Sequence, residues 1–209
     1  MSQEFFELTG KHVRLEPLEA RHIEPLARAG STDDPELYRW TFVPQGVEQT
    51  TTYVNTAIGW REAGSTVPFA TVRQSDGAVI GSTRFFDVER WAWPVEHERH
   101  GRQRPDACEI GYTWLTPSAI RTAANTEAKL LMLTHAFEVW QVVRVCLHTD
   151  ERNERSRKAI ERAGGKFEGI LRSHRLAVDA IPRNSARFSI VAAEWPDVKQ
   201  QLTSLLRYH

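Results

Sequence analysis

In "HVRLEPL", Val13, Leu15 and Leu18 alternate with polar residues, the pattern of a half-buried strand. The period then lengthens. "ARHIEPLARAG", "DDPELYRW" and "VEQTTTYVNTAIGWREAG" each carry apolar residues at helical spacing, with Gly30 and Gly64 placed to stop helices. Alternation returns in "VPFATVRQSDGAVIGSTRFFDVER", which predicts two strands joined by a turn at Ser75, Asp76 and Gly77. "ACEIGYTWL" predicts a third strand of this group.

In the second half, Leu130, Leu133, Phe137 and Trp140 recur at three- and four-residue steps, predicting a helix that Thr122 or Asn125 can cap. "VVRVCLHT" sets Val143, Val145 and Leu147 against Arg144, Cys146 and His148, the period of a strand. A helix follows in "NERSRKAIERAGG", with Asp150 or Asn153 as cap and Gly164 as stop. "FEGILRSHRLAV" and "RNSARFSIVAAEW" predict two more strands, and "WPDVKQQLTSLLRY" a closing helix. This succession predicts an α/β (α+β) molecule, a mixed sheet with helices packed on it.

With 209 residues and no long Pro, Gly or Ser linker, the chain reads as one domain over residues 1–209. A content of 41% hydrophobic and 10% aromatic residues can bury a sizeable core. Twenty-seven basic and twenty-seven acidic side chains cancel, which gives nucleic-acid binding no compositional support. Cys108 and Cys146 make neither a disulfide framework nor a zinc spacing, in keeping with a reducing cytosol. The start "MSQEFFELTG" lacks a secretory pattern and no apolar run approaches the roughly 20 residues of a membrane span, so a soluble cytoplasmic protein is expected.

Charge near two helix starts changes the picture. A helix N-terminus carries about half a positive charge and favours acidic neighbours, yet Arg121 flanks one start. Arg152, Arg155, Arg157 and Lys158 crowd the other, relieved only by Glu151 and Glu154. A bound phosphate would turn that cost into a gain. Free N–H groups at a helix start cradle phosphate, and Ala119, Ala123, Ala124, Asn125 and Thr126 leave room for one. The Gly-Lys-Ser/Thr ending of a P-loop and the spaced glycines of a dinucleotide site are both missing. A phosphorylated cofactor on some other fold is expected.

The order of these segments carries a resemblance. "GKHVRLEPLEARHIEPL", "EIGYTWLTP", "NTEAKLLMLTHAFE", "RVCLHTDERNERSRKAIERAGGKFEGILR" and "RFSIVAAEW" make the chain similar to the GNAT superfamily of acyl-coenzyme A-dependent N-acetyltransferases. Within it, the chain resembles the branch of RimJ and RimL, which acetylate ribosomal-protein N-termini. The resemblance implies the GNAT fold, a central mixed, mostly antiparallel, splayed sheet with helices on both faces, and acetyl-CoA as cofactor. The superfamily's phosphate loop, Gln/Arg-x-x-Gly-x-Gly/Ala, falls by register on Ile120, Ala123 and Asn125, so both glycines are missing. Contacts to the pyrophosphate are therefore expected from Arg121, Thr122, Ala123, Asn125 and Thr126. The strand ending in Trp114 and Leu115 would bind the pantetheine arm, as would Asn153, with Arg157 nearby. An extra residue in "EIGYTWLTP", Thr113 or Trp114, is consistent with a β-bulge.

For the chemistry, the resemblance makes Glu109, eleven residues before Ile120, the first choice of general base, with His174 as runner-up. Ser156 matches the serine of the family's Asn-x-x-Ser motif and would give the departing sulfur its proton. Neither cysteine has a recognisable catalytic partner, so transfer should be direct. "RWAWPVEHERHGRQRPD" reads as a long structureless loop whose Trp91, Trp93, His97 and His100 could wall an acceptor pocket, and whose arginines would suit acidic peptides. His97 and His100 lack a third ligand in register, so no metal is expected. The expected acceptor is a primary amine, of a protein or peptide N-terminus or of a small antibiotic-like molecule. Succinyl transfer and a coenzyme A-binding sensor or scaffold are the alternatives, and a homodimer is left open.

Overall fold

The computed structural model describes residues 5–34 and 36–207. Its strands are β1 (Leu8–Thr9), β2 (Val13–Pro17), β3 (Val67–Arg73), β4 (Val79–Glu89), β5 (Ala107–Leu115), β6 (Arg144–Asp150), β7 (Lys166–Leu176) and β8 (Pro182–Val191). The helices are α1 (Ile23–Gly30), α2 (Gly46–Glu62), α3 (Ala123–Thr134), α4 (Glu154–Arg162) and α5 (Trp195–Leu206). All the strands share one sheet in the order β1-β2-β3-β4-β5-β6-β8-β7. Every neighbouring pair is antiparallel except β5 with β6, so the sheet is mixed and mostly antiparallel, as expected.

Strand alternation sorts the side chains onto two faces. Phe85, Ile110, Val145 and Leu147 join Met132 and Leu133 of α3 and Trp195 and Leu202 of α5 in the larger core. On the opposite face, Leu26 of α1, Tyr53 and Val54 of α2 and Trp114 of β5 form a second core. Arg84, Phe86 and Glu109 alternate with Phe85, Cys108 and Ile110 and therefore face the α1–α2 side.

The parallel pair is brief. β5 and β6 match only at Ala107 with Arg144, Cys108 with Val145 and Glu109 with Cys146. Beyond that, β5 stays with β4 as far as Leu115 opposite Gly81, while β6 stays with β8 as far as Asp150 opposite Ser185. The two strands splay apart. A bulge re-aims β5 within this stretch: Arg84 faces Gly111 and Ser82 faces Trp114, so β5 holds one residue more than β4, and Tyr112 takes φ +51°. Gly81 permits the close approach, because a Cβ there would run into the Trp114 carbonyl oxygen.

Three expectations change. "DDPELYRW" forms successive turns instead of a helix, with Pro35 outside the described residues, and Tyr38 is held by donating its hydroxyl to the Leu115 carbonyl at 2.9 Å. One or two turns nucleate a helix poorly, so tertiary contacts decide such a segment. The α3 pattern runs on through a π-helical turn, His135–Trp140, closed by Gln141 at φ +57°. The segment from Arg90 to Asp106 is a chain of hydrogen-bonded turns and so is not structureless. Tyr208, placed in the closing helix by its sequence, lies outside the described residues.

Candidate active site

The N-terminus of α3 follows directly on the loop that leaves β5. Thr122 is its cap: Oγ1 accepts from the Ala124 N–H at 3.2 Å and donates to the Ala119 carbonyl at 2.7 Å. Arg121, exposed, turns the chain into the helix from the left-handed region at φ +63°. No acidic side chain stands in the first turn. Glu127, further along, is occupied elsewhere, accepting the N–H groups of Lys11, His12 and Val13 at 2.9, 2.6 and 2.7 Å. The first N–H groups of a helix have no intrahelical partner. Ala123, Ala124 and Thr126 are buried and small, and the buried Oδ1 of Asn125 has no partner among the described residues. A positive helix end, a neighbouring guanidinium and no opposing carboxylate fit a phosphorylated ligand such as coenzyme A.

The start of α4 is different. Asn153 is its cap, Oδ1 accepting the Ser156 N–H at 3.0 Å. The surrounding cations prove to be answered from within the fold. Arg152 pairs with Asp150 at 2.8 Å, Lys158 stands 3.9 Å from Glu154, and Arg155 donates to the Leu37 carbonyl at 2.8 Å. Arg157 donates to the Glu151 carbonyl at 3.3 Å and covers the Phe167 ring. The charge excess read from the sequence at this helix start therefore does not by itself call for an anion.

At the point where β5 and β6 part, Glu109 is 4% exposed, opposite Phe86 on β4. Its Oε2 lies 2.7 Å from His148 Nδ1 of β6 and 3.6 Å from Arg175 Nη2 of β7. The contact between Glu109 and His148 does not have the geometry of a directed hydrogen bond. His174 stacks obliquely near His148, ring centroids 5.0 Å apart. Burial, then the Arg175 charge and His148, lower the His174 pKa and hold its ring neutral. Its Nδ1 is buried without a hydrogen-bond partner among the described residues. Two expected residues, Glu109 and His174, thus meet in one cluster with two that the sequence reading missed, His148 and Arg175. His148 falls on the same face of β6 as Cys146, the register partner of Glu109, a placement that only the strand pairing reveals.

Other expected residues fall elsewhere. The Trp114 ring is packed in the α1–α2 core and the Leu115 carbonyl is taken by Tyr38. Trp91 and Trp93 are tied to Asp106, by a backbone N–H and an indole N–H at 2.8 Å each, and His97 stacks on Trp93 at 4.2 Å. Arg99 and Arg102 fasten the same loop to the carbonyls of Gln141 and Trp140. The loop therefore sits at the paired end of β5 and β6, away from the splay. Among the described residues no group of three metal-binding side chains exists. Burial pushes the Cys108 thiol far above its usual range, so it is no nucleophile.

A cavity of about 460 Å³ opens between α2, β4 and β5, with Arg84, Tyr53, Trp60 and Tyr112 in its lining. The sequence reading overlooked it. Tyr112, swung out by the bulge, packs edge-on against Phe86, the residue opposite Glu109, with centroids 5.1 Å apart.

Comparison with known proteins agrees with this fold. Residues 12–166 match the family described as "Acetyltransferase (GNAT) domain". A Bacillus subtilis (strain 168) protein named as a ribosomal N-acetyltransferase, YdaF, is 25% identical over 191 residues, covering 90% of this chain and 96% of the relative. The crystal structure of a GCN5-related N-acetyltransferase from Brucella melitensis is 28% identical, with a TM-score of 0.82 over 97% of this chain and 86% of the other. Mycobacterium smegmatis RimJ, solved in complex with CoA-disulfide, shares the fold at 21% identity, with a TM-score of 0.78 over 96% of this chain and 95% of its own.

Proposed function

The chain belongs to the GNAT family of acetyltransferases and is an acetyl-CoA-dependent N-acetyltransferase, and on that premise we propose that its acceptor is the terminal amine of a protein or peptide. The likeness to the Bacillus subtilis protein named as a ribosomal N-acetyltransferase supports this acceptor class. The chain works as one domain in the cytosol, without nucleic acid or membrane as partner; no helix among the described residues is long and apolar enough to cross a membrane.

Acetyl-CoA, when bound, supplies an acetyl thioester. Arg121, Thr122, Ala123, Asn125 and Thr126 would hold its pyrophosphate, and the splayed β5 backbone, with Asn153, would hold the pantetheine arm. Arg157 stays at the α4 start to support Asn153. Glu109 Oε2 takes a proton from the incoming ammonium, which leaves the amine neutral and nucleophilic. His148, with its ring against that carboxylate, fixes its orientation. The neutral His174 ring passes the proton outward. As the nitrogen bonds to the acetyl carbon and the carbon–sulfur bond breaks, Ser156 Oγ would give its proton to the departing sulfur and regain one from the nitrogen, which sheds it on becoming an amide. The observation that carries this reading is the splay of β5 from β6, with the α3 start at its open end and Glu109 at its apex.

Release of free thiol from acetyl-CoA with a panel of peptides and small amines tests it. Coenzyme A at 100 times its dissociation constant should add about 2.7 kcal/mol to stability, and NAD far less. Equal melting shifts with both, or peptide amines inert while small amines react, would overturn the reading.

A further inference from the structure

The cavity beside α2 has a buried cation at its base. Arg84 is 1% exposed, and its Nε and Nη2 have neither hydrogen-bond nor ion-pair partner among the described residues. Three rings surround the guanidinium carbon: Tyr112 at 4.2 Å, Tyr53 at 5.0 Å and Trp60 at 5.5 Å from their centroids. The Tyr53 hydroxyl donates to Ser82 Oγ at 3.1 Å and takes no hydrogen bond from Arg84 Nε or Nη2. Glu48 also lines the cavity, yet it is exposed on the first turn of α2 and forms no ion pair with Arg84. Cation–π contact offsets only part of the cost of burying a lone charge. A fork of unused N–H donors between aromatic walls is the geometry that receives a planar carboxylate in bidentate fashion.

The cavity is next to the chemistry. Arg84 is two residues along β4 from Phe86, about 7 Å, and Phe86 stands opposite Glu109. Tyr112 belongs both to the cavity wall and to the bulge. We propose that this cavity is an acceptor subsite in which Arg84 binds a carboxylate of the amine substrate, one or two residues' length from the reacting nitrogen. The inference rests on the acetyltransferase reading and narrows it: the substrate is an amine that also bears a carboxylate. Either an acidic side chain early in a peptide or the carboxylate of a small amino acid provides that chemistry.

The test compares isosteric acceptors. Peptides that begin Ala-Glu and Ala-Asp are set against Ala-Gln and Ala-Asn, and glutamate against its diamide, with wild-type protein and Arg84→Met. Wild-type kcat/KM should favour the acid by about 10- to 100-fold, because an analogue that lacks the carboxylate leaves the buried guanidinium unpaired. Arg84→Met should lose that discrimination while retaining its melting shift with coenzyme A, which shows that the variant is folded. The arm in which the preference occurs identifies peptide or small molecule. Calorimetric titration of the same acids and amides supplies a readout independent of turnover. Carboxylate-selective binding without acetylation would remove the acceptor role and leave the carboxylate site standing. Acetylation with equal rates for acid and amide, or an Arg84→Met loss common to both, would overturn the proposal and leave the acetyltransferase reading intact.

Discussion

Glu109 Oε2 of β5 and His148 Nδ1 of β6 stand 2.7 Å apart, both nearly buried, where the two strands separate, His148 lying two residues beyond Cys146, the last register partner. Proton transfer at such a pair is expected to be worth about 10²–10⁴-fold in rate. Glu109→Gln should therefore lower the transfer rate chiefly near neutral pH, with partial recovery in alkali as neutral amine forms in solution. Because His174 has a pKa lowered from 6.5, its ring stays neutral at pH 7 and loses acceptor capacity only in acid. His174→Gln should flatten that acidic limb and leave the alkaline one. A pH–rate profile under saturating coenzyme, with a burst check that chemistry limits turnover, decides this; an unchanged profile in Glu109→Gln excludes it as the base.

The α3 start makes a second prediction. Arg121 occupies φ +63°, a conformation that glycine adopts without strain. Arg121→Gly should keep the melting temperature of the unliganded protein or raise it slightly. The same change should weaken coenzyme A binding about tenfold, with little effect on the rate at saturation, since the pyrophosphate is remote from the reacting bond. A fall in kcat with unaltered affinity would contradict it.

Glu127 holds three backbone N–H groups, of Lys11, His12 and Val13, and so fastens β2 to α3. Glu127→Ala would leave three donors short of partners and should cost about 2–4 kcal/mol in urea unfolding. Gly10→Ala should be destabilising as well, because a Cβ there would meet the Glu127 carboxyl group. Normal stability in both variants would show that this anchor is dispensable.

Lys129, on α3, is buried beneath the bulge and donates from Nζ to Thr113 Oγ1 at 2.8 Å. Burial lowers its pKa from 10.5 to about 8. Between these values the folded protein has released a proton that the unfolded chain still binds, so stability rises with pH across that window and the burial cost is complete below pH 8. Lys129→Met should flatten the rise between pH 8 and 10 and stabilise the protein near neutrality by an amount on the order of 1–3 kcal/mol. Melting curves from pH 7 to 10 check the slope; parallel curves for variant and wild type would refute it.

What could be read along the chain was what is decided within a few residues. Alternation placed the seven-residue stretch 12–18 and the β3–β4 hairpin, Gly64 and Gly164 followed the ends of their helices at φ +74° and +93°, and Gly77 turned the hairpin at φ +70°. Thr122 and Asn153 cap their helices through bonds two or three residues long. The extra residue of β5 lodged in a bulge, and it was the family resemblance, counted back eleven residues from Ile120, that pointed to Glu109.

Whatever depends on which strands become neighbours was decided only by the tertiary structure. His148 and Arg175 meet Glu109 because β6 lies beside β5 and β7 comes in past β8, contacts set by register between distant segments. Arg152 and its neighbours read as an excess of charge, and only the fold brings the Asp150 carboxylate and the carbonyls of Leu37 and Glu151 to answer them. Arg84 reads as an ordinary strand arginine, and its isolation among Tyr53, Trp60 and Tyr112 exists only once α2 packs over β4 and β5. Sequence determines short-range hydrogen bonds and the burial of one face, whereas the balance of a buried charge is a sum over groups that the chain brings together only on folding.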